Sequence, residues 1–341
     1  MCPPESLSSA TTQFANSRDR HLFGPGRKRI LSLDGGGVRG AITVSFLEKL
    51  EKVIEEIEGK PTLLCDWFDL IGGTSAGSII ATALALGLKA SEIRAIQTAL
   101  APSVFRKRFW RFGGLRAMFD RRNLIRELEK FVGAKTLDSE ELLTGLCIIT
   151  KRLDSGSAWV LSNNPRGIYW DASPDRKFTA NRNFPLTNLI RASAAAPHYF
   201  DPEIIEIVEG EPPGMFIDGA LTPHNNPAFQ LFLLATLPQY GLNWKATPQD
   251  LTIVSLGTGS YRQKVTPSDL RWTGNLGMTL QALTAQMTEA QSLIATLMTW
   301  LGECPFEWPI NSELVDLGKT HPVFGPPLFR YLRYDVVLEQ K

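Results

Sequence analysis

The chain has 341 residues, of which 43% are hydrophobic and 21% are charged, and its formal net charge is +1. This composition is typical of a globular protein with enough chain for a large buried core, in one large domain or two small ones. The near-neutral charge gives no reason to expect a nucleic-acid partner, which would require a basic surface.

The cysteines and the apolar stretches exclude further classes of protein. No two cysteines have the spacing of metal ligands, so we expect reduced thiols and no metal site at Cys2, Cys65, Cys147 and Cys304. Residues 1–26 are rich in Ser, Thr and Pro and lack an apolar core, which predicts a flexible arm and not a secretory signal. The longest apolar stretch, 79–88, is too short to span a bilayer. We therefore expect a cytoplasmic protein that contacts a membrane at most peripherally.

The first recognisable unit is a strand, a glycine-rich loop and a helix. Residues 29–33 alternate as a strand does and lead into Asp-Gly-Gly-Gly-Val-Arg-Gly at residues 34–40. Apolar residues then recur at helical spacing over residues 41–58. Three adjacent glycines expose backbone N–H groups that no Cβ shields, so the loop is a candidate anion site or oxyanion hole. We interpret Asp34 as a structural residue that orients the loop by bonding its own backbone.

A second unit follows, with a serine at its centre. Residues 67–72 predict a buried strand, residues 78–88 predict a helix, and Gly-Thr-Ser-Ala-Gly lies between them at residues 73–77. A Gly-x-Ser-x-Gly in this setting is typical of a nucleophile elbow, in which the helix directs its N-terminal amides at the serine. Two strand–helix units predict a central, mostly parallel sheet between layers of helices, an α/β fold.

Basic and aromatic residues are interleaved at residues 105–116, within a largely helical segment over 90–132. Three interpretations stay open for this stretch. It could be a flap that covers the site and touches a lipid surface. It could recognise the phosphates of a nucleotide, or it could be a solvated helix face whose aromatic residues belong to the core.

The middle of the chain predicts strands at 142–150, 158–162 and 251–256 and helices at 185–196 and 227–236. The first of these helices ends in small residues, which suits close packing beneath the site. A short apolar run also ends in Asp218-Gly219-Ala220. From about residue 261 the character of the sequence changes. It predicts a long helix at 276–301 and a strand that returns to the sheet at 329–338. We divide the chain into the arm, a catalytic domain at 27–262 and a C-terminal helical cap at 263–341.

The three motifs, in this order, resemble those of the bacterial patatin-like phospholipases. The resemblance extends from about Lys28 to Thr258. It implies the patatin-like three-layer fold and a lipid acyl hydrolase that needs no cofactor and uses a Ser–Asp dyad. On this match Ser75 is the nucleophile and Asp218 the base. The family commonly has Asp-Gly-Gly at the third motif, and Ala220 is a mild departure that leaves the acid in place.

The resemblance also implies an oxyanion hole built from the glycine loop and the residue after the nucleophile. The expected members are Gly36, Gly37, Val38, Arg39 and Ala76. For the side chain of Arg39 two roles stay open, steering an anionic phospholipid or bracing the loop.

The proposed reaction requires Asp218 to be a stronger base than a free aspartate side chain. A carboxyl with an ordinary pKa of about 3.9 is a poor base for a hydroxyl, so we expect burial to raise the pKa of Asp218. His198 and His224 lie near the motifs, and we interpret each as a structural or surface histidine. The glycines at residues 35–40 do not lie in a clear βαβ unit with a ribose-binding acidic residue after it, which argues against a dinucleotide-binding site.

The sequence therefore predicts a phospholipase A-type hydrolase at a membrane surface. One alternative is the same hydrolase acting as an antiphage effector that a cyclic nucleotide switches on, since some bacterial patatin-like proteins act in this way. Another is a non-catalytic lipid-binding protein that has kept the fold. The sequence leaves a homo-oligomer open.

Overall fold

A computed structural model describes residues 14–104, 121–172, 178–197, 199–261, 267–306, 310–311, 313–320 and 325–338. The strands are β1 Lys28–Leu33, β2 Leu70–Thr74, β3 Gly145–Arg152, β4 Ala158–Ser162, β5 Glu203–Ile205, β6 Gly214–Asp218, β7 Leu251–Leu256, β8 Ser260–Tyr261, β9 Arg330–Tyr334 and β10 Val337–Leu338. The helices are α1 Ser17–Phe23, α2 Gly40–Glu58, α3 Leu64–Trp67, α4 Ala76–Ala85, α5 Ala90–Val104, α6 Arg121–Val132, α7 Leu186–Ser193, α8 Ala228–Thr236 and α9 Pro267–Leu301.

Parallel strands form the body of the main sheet. β1 pairs with β2 on one side and with β7 on the other, β2 continues to β3, and β7 continues to β9. The antiparallel pairs are those of β3 with β4, β3 with β6 and β5 with β6. The predicted, mostly parallel sheet is therefore confirmed, and its antiparallel part includes the strand that ends in Asp218.

Helices bury both faces of this sheet. Along β1, Leu31 and Leu33 pack in one apolar cluster with residues of α2, α4 and α7. Ile30 packs in a second cluster, with residues of α1, α8 and α9. Since successive side chains of a strand point to opposite faces, this alternation places one cluster on each side of the sheet. The three-layer α/β fold is confirmed.

The chain is packed from an earlier residue than the sequence indicated. Within the predicted flexible arm, Ser17–Phe23 forms α1, and Asn16 caps it by accepting a hydrogen bond from the backbone N–H of Asp19. Leu22 is buried, and its carbonyl accepts a hydrogen bond of 2.8 Å from the Trp244 indole. The polar composition of the arm gave no indication of the N-cap or of the buried Leu22 that fix this helix.

One predicted strand starts later than expected, and another is confirmed. Trp67 belongs to the helical turn α3, so the strand predicted at 67–72 begins at Leu70. The run predicted to return to the sheet does so as β9, next to β7. The basic–aromatic stretch at 105–116 lies outside the described residues.

Candidate active site

The serine of the second motif occupies a sharp turn between β2 and α4. Ser75 has φ 53° and ψ −125°, a conformation that non-glycine residues rarely adopt. The glycines on either side permit the turn by their lack of a Cβ. A Cβ on Gly73 would lie 2.1 Å from the Gly77 carbonyl oxygen, and one on Gly77 would lie 2.3 Å from that of Leu33. The backbone thus holds Ser75 in the geometry of a nucleophile elbow.

The register of β3 brings the acid to this turn. Thr74, the last residue of β2, pairs with Ile149, and Asp218, the last residue of β6, pairs with the next residue, Thr150. β4 pairs with both of these β3 residues. A strand has two edges, so β2 and β6 must lie end to end along the edge that β4 leaves free. Because β2 and β6 run in opposite directions, their C-terminal ends meet, and Ser75 lies beside Asp218.

The two side chains form a direct hydrogen bond. The Ser75 hydroxyl donates to Asp218 Oδ2 at 2.7 Å, and Asp218 Oδ1 accepts a hydrogen bond of 2.8 Å from the Ala220 backbone N–H. Ser75 is 7% exposed and Asp218 is 4% exposed. Burial raises the pKa of Asp218 to about 6, while the two hydrogen bonds oppose this rise. The carboxylate is still ionised at neutral pH, and it is a stronger base than a free aspartate.

The glycine loop passes directly beside the serine. A Cβ added to Gly35 would lie 3.2 Å from the Ser75 Cβ. The Gly35 backbone is fixed on both sides, since its N–H donates to the Asn225 carbonyl and its own carbonyl accepts from the Thr258 hydroxyl, both at 3.0 Å. Gly37 has φ +56°, a value that favours glycine at this turn.

Four of the five predicted oxyanion donors have a backbone N–H that is not engaged. The four residues are Gly36, Gly37, Val38 and Ala76. In the part of the chain that the structure describes, their backbone N–H groups donate to no protein acceptor. Gly37 and Val38 lie on the exposed side of the loop. Free amides beside a buried hydroxyl and carboxylate are an arrangement that can bind a developing oxyanion.

The fifth predicted donor, Arg39, has another role. Its backbone N–H donates to the Gly36 carbonyl at 3.1 Å, and its guanidinium donates to the Gly259 carbonyl at 2.7 Å. The N–H of Arg39 is therefore occupied, and its side chain braces the loop. The prediction placed Arg39 in the hole because the motif gives its order in the chain and not the direction of its amide.

Asp34 is structural as predicted, but its partner is different. Its carboxylate accepts hydrogen bonds from Arg333 at 3.0 Å on Oδ1 and 2.7 Å on Oδ2. Burial raises the pKa of Asp34 to about 6, and the positive charge of Arg333 opposes this rise. The expected bond to its own backbone would have been local, whereas Arg333 lies in the last strand of the main sheet.

Sequence reasoning missed the contacts beneath the dyad. The Ser193 hydroxyl accepts a hydrogen bond of 2.9 Å from the Ser75 backbone N–H and donates to the Ile149 carbonyl at 2.6 Å. The Ala195 carbonyl accepts from the Asp218 backbone N–H at 3.0 Å. The end of α7 thus holds the backbones of both dyad residues. The run of small residues at 192–196 was the available signal, although it indicated close packing and no particular bond.

The histidines do not complete a triad in the described residues. The His224 carbonyl accepts a hydrogen bond of 2.6 Å from the Thr74 hydroxyl, so His224 supports the elbow through its backbone. Burial lowers the pKa of the His224 ring, which favours the neutral form. His198 lies outside the described residues.

The described residues show neither a metal site nor a membrane-spanning helix. These contain no group of three or more His, Cys, Asp or Glu side chains that could hold a metal ion. Each helix in the same residues is too short or too polar to span a bilayer.

Several known proteins are similar in sequence to this chain over about two thirds of its length or more. A cGAMP-activated phospholipase of Escherichia coli (strain TW11681) is 29% identical over 78% of this chain and 74% of that protein. A cGAMP-activated phospholipase of Vibrio cholerae serotype O1 is 30% identical over 73% of this chain and 70% of that protein. A cUMP-AMP-activated phospholipase of Escherichia coli is 29% identical over 68% of this chain and 65% of that protein.

The family model of the patatin-like phospholipases matches residues 31–232, more than half of the chain. This region begins within β1 and extends into α8, so it contains the glycine loop, the elbow and the end of β6. The resemblance predicted from the three motifs is confirmed, and the chain belongs to the patatin-like phospholipase family.

Proposed function

We propose that this protein is a phospholipase A-type hydrolase that cleaves acyl esters of glycerophospholipids with Ser75 and Asp218. The observation that carries the proposal is the 2.7 Å hydrogen bond between these side chains. Asp218 is a buried base with a raised pKa. The glycine loop approaches Ser75 at Gly35, and the loop and Ala76 supply backbone amides without a protein acceptor in the described residues. Together these groups supply the nucleophile, the proton acceptor and the oxyanion donors that ester hydrolysis needs.

In the first half of the reaction, Ser75 Oγ attacks the acyl carbonyl carbon while its proton passes to Asp218. The amides of Gly36, Gly37, Val38 and Ala76 stabilise the negative charge on the former carbonyl oxygen. The tetrahedral intermediate then expels the lipid alcohol, which takes the proton from Asp218. The acyl group remains on Ser75 as an ester.

In the second half, a water molecule gives a proton to Asp218 and attacks the acyl ester. The fatty acid leaves, and Ser75 recovers the proton from Asp218. One carboxylate thus acts as base and acid in turn. This exchange suits a group whose pKa is about 6, because it can accept and release a proton near neutral pH.

The rim of the loop supports action at a bilayer surface. Val38 is 59% exposed, although it is apolar and directly follows the free amide of Gly37. An apolar side chain at the entrance can enter the acyl layer and bring the ester carbonyl to the amides below it. We propose that the protein is not bound permanently to the membrane but reaches it through this rim.

Hydrolysis of mixed phospholipid vesicles, with mass spectrometry of the products, tests this function. We expect fatty acid and lysophospholipid from the wild type and none above background from Ser75→Ala or Asp218→Asn. Ser45→Ala is the matched control, since Ser45 is an exposed serine on α2 whose hydroxyl bonds the Ala41 carbonyl. Undiminished turnover in Ser75→Ala would disprove the proposal.

A second proposal is that a cyclic nucleotide activates this hydrolase. It is favoured by the relatives named for activation by cGAMP or cUMP-AMP, which match this chain over 68% of its length or more. Calorimetry of the Ser75→Ala variant with each of the two nucleotides separates binding from turnover. Light scattering of the same samples reports whether binding produces a homo-oligomer. The activation hypothesis fails if neither nucleotide gives a heat signal nor increases wild-type turnover.

A further inference from the structure

We propose that Arg333 is the positioning residue of the oxyanion loop, an inference that rests on the proposed hydrolase function. Arg333 lies on β9, and the region matched by the family model ends about a hundred residues earlier, at 232. A residue outside the matched region thus sets the geometry of the amides within it.

The ion pair of Arg333 with Asp34 has the geometry of a rigid anchor. Asp34 Oδ1 accepts a hydrogen bond from Arg333 Nη1, and Asp34 Oδ2 accepts one from Nη2 of the same guanidinium. Oδ2 also accepts a longer hydrogen bond of 3.4 Å from the Gln291 side-chain amide. The Asp34 side chain has no solvent exposure, and that of Arg333 is 6% exposed. A bidentate arginine–carboxylate pair is directional, and in a buried site neither charge can exchange its partner for water.

Further hydrogen bonds fix the Arg333 guanidinium on the side that faces away from Asp34. Arg333 donates to the Ser255 hydroxyl at 2.8 Å and to Asp335 Oδ2 at 2.7 Å. Asp335 Oδ1 accepts backbone hydrogen bonds from Gly259 at 2.8 Å and Val336 at 2.9 Å. The cluster thus fixes the segment after β7 together with the last part of the chain.

Both ends of the glycine loop attach to this cluster. The loop begins after Asp34, which bonds Arg333, and it ends at Arg39, which bonds the Gly259 carbonyl. Thr258, beside Gly259, bonds the Gly35 carbonyl. Between these points the chain has three glycines, which by themselves allow many conformations. The direction of the free amides is therefore set from outside the loop, and Arg333 is the charge at the centre of that arrangement.

This arrangement predicts a specific kinetic effect. Without Arg333, the buried Asp34 carboxyl loses its main counter-charge and the two directional hydrogen bonds of the guanidinium. It then takes up a proton or draws in water, and in either case the loop loses its anchor. The amides then meet the oxyanion less well, and this loss is felt in the transition state, where the negative charge develops. A soluble ester does not require Val38, on the same loop, to enter a bilayer. Loss of one oxyanion donor reduces kcat by about 10²- to 10³-fold, so we expect a fall of about 10²-fold for Arg333→Met with KM little changed.

The test uses full-length variants and a soluble p-nitrophenyl ester, so that vesicle binding does not enter the kinetics. Arg333→Met removes the guanidinium. Arg333→Lys keeps the positive charge but cannot donate two parallel hydrogen bonds to the Asp34 carboxylate. We expect Arg333→Lys to retain the wild-type unfolding temperature more closely and still to lose about 10-fold or more in kcat. Arg330→Met is the matched control, because Arg330 lies on the same strand, is 42% exposed, and approaches Glu303 at 3.7 Å.

A second measurement separates positioning from general destabilisation. An alkyl trifluoromethyl ketone adds to the nucleophilic serine and forms an oxyanion, so its affinity reports the state of the hole. We expect its binding to weaken in parallel with kcat in both Arg333 variants and to be unchanged in Arg330→Met. Folded Arg333 variants with wild-type kcat and ketone affinity would overturn the inference. A wild type and Arg330→Met that cleave no ester, either alone or with cGAMP or cUMP-AMP present, would instead overturn the proposed function, and this inference with it.

Discussion

Thr74 and Asp218 end strands that run in opposite directions, yet both lie along one edge of β3, opposite its adjacent residues Ile149 and Thr150. The dyad is assembled by this register and needs no long loop to carry either residue to the other. Gly219 makes the approach feasible, since a Cβ there would lie 2.3 Å from the Ile149 carbonyl oxygen. Catalytic geometry on this fold therefore depends on backbone pairing, which is rigid, and we expect it to be present before substrate binds.

The pH dependence of activity follows from the state of Asp218. The base must be ionised to accept the Ser75 proton, and burial raises the pKa of this group to about 6. We therefore expect kcat/KM to rise with pH through about 6 and then to reach a plateau. Rates on a soluble ester between pH 4.5 and 8.5 provide the measurement.

Asp34 is the necessary control for this profile, because burial also raises its pKa to about 6. Asp34→Asn removes that titration while Asp218 remains. If the ionisation of Asp218 causes the fall in kcat/KM at low pH, Asp34→Asn keeps the midpoint of that fall at the same pH, although its rate is lower throughout. If kcat/KM of Asp34→Asn no longer falls at low pH, the pH dependence belongs to the ion pair of Asp34 with Arg333 instead.

Asp218→Asn should abolish hydrolysis without destabilising the fold. The pKa of Asp218 is raised from 3.8 to about 6 in the folded chain, so the folded state holds more protons than the unfolded state between these values. Stability contributed by this group is consequently lost as pH rises through that window. An uncharged amide avoids this loss, and at pH 8 we expect the free energy of unfolding to increase by up to about 3 kcal/mol.

Urea unfolding of the wild type and Asp218→Asn at pH 4 and pH 8 measures this difference. The gain should be largest at pH 8 and small at pH 4, where the native carboxyl is protonated. A gain that is equal at both values would show that packing, and not the charge, is responsible.

The motifs in the sequence predicted much of the site, and the reasons for the rest are physical. Ser75 and Asp218 each follow a short apolar run, so local patterns indicated them, and the family resemblance linked them. The antiparallel direction of β6 was not encoded locally, because a five-residue strand reads the same in either orientation. The ion pair of Arg333 with Asp34 joins residues from opposite ends of the chain, and no spacing rule connects them.

The strained backbone of Ser75 predicts a difference between two inactive variants. At φ 53° an alanine retains the steric conflict of its Cβ, whereas a glycine does not. Both remove the hydroxyl and its hydrogen bond to Asp218. We therefore expect Ser75→Gly to be more stable than Ser75→Ala by about 1 kcal/mol, even though glycine usually destabilises a fold relative to alanine. Calorimetric unfolding of the two proteins checks the sign, and a more stable Ser75→Ala would show that the turn relaxes when the hydroxyl is removed.

Ser193 should support both stability and rate through one hydroxyl. It is buried, accepts from the Ser75 N–H at 2.9 Å and donates to the Ile149 carbonyl at 2.6 Å. Ser193→Ala leaves these two backbone groups without their partner, and we expect a loss of about 1 to 3 kcal/mol in the free energy of unfolding. Because the Ser75 backbone then loses one of its restraints, kcat should fall about 10-fold while KM stays close to its wild-type value. Ser45→Ala again serves as the matched control and should alter neither quantity. Urea unfolding and ester kinetics on the same preparations provide the measurement. A Ser193→Ala protein that loses stability but keeps its full kcat would restrict Ser193 to a packing role, because other contacts, such as that of the Thr74 hydroxyl with the His224 carbonyl, would then suffice to hold the elbow.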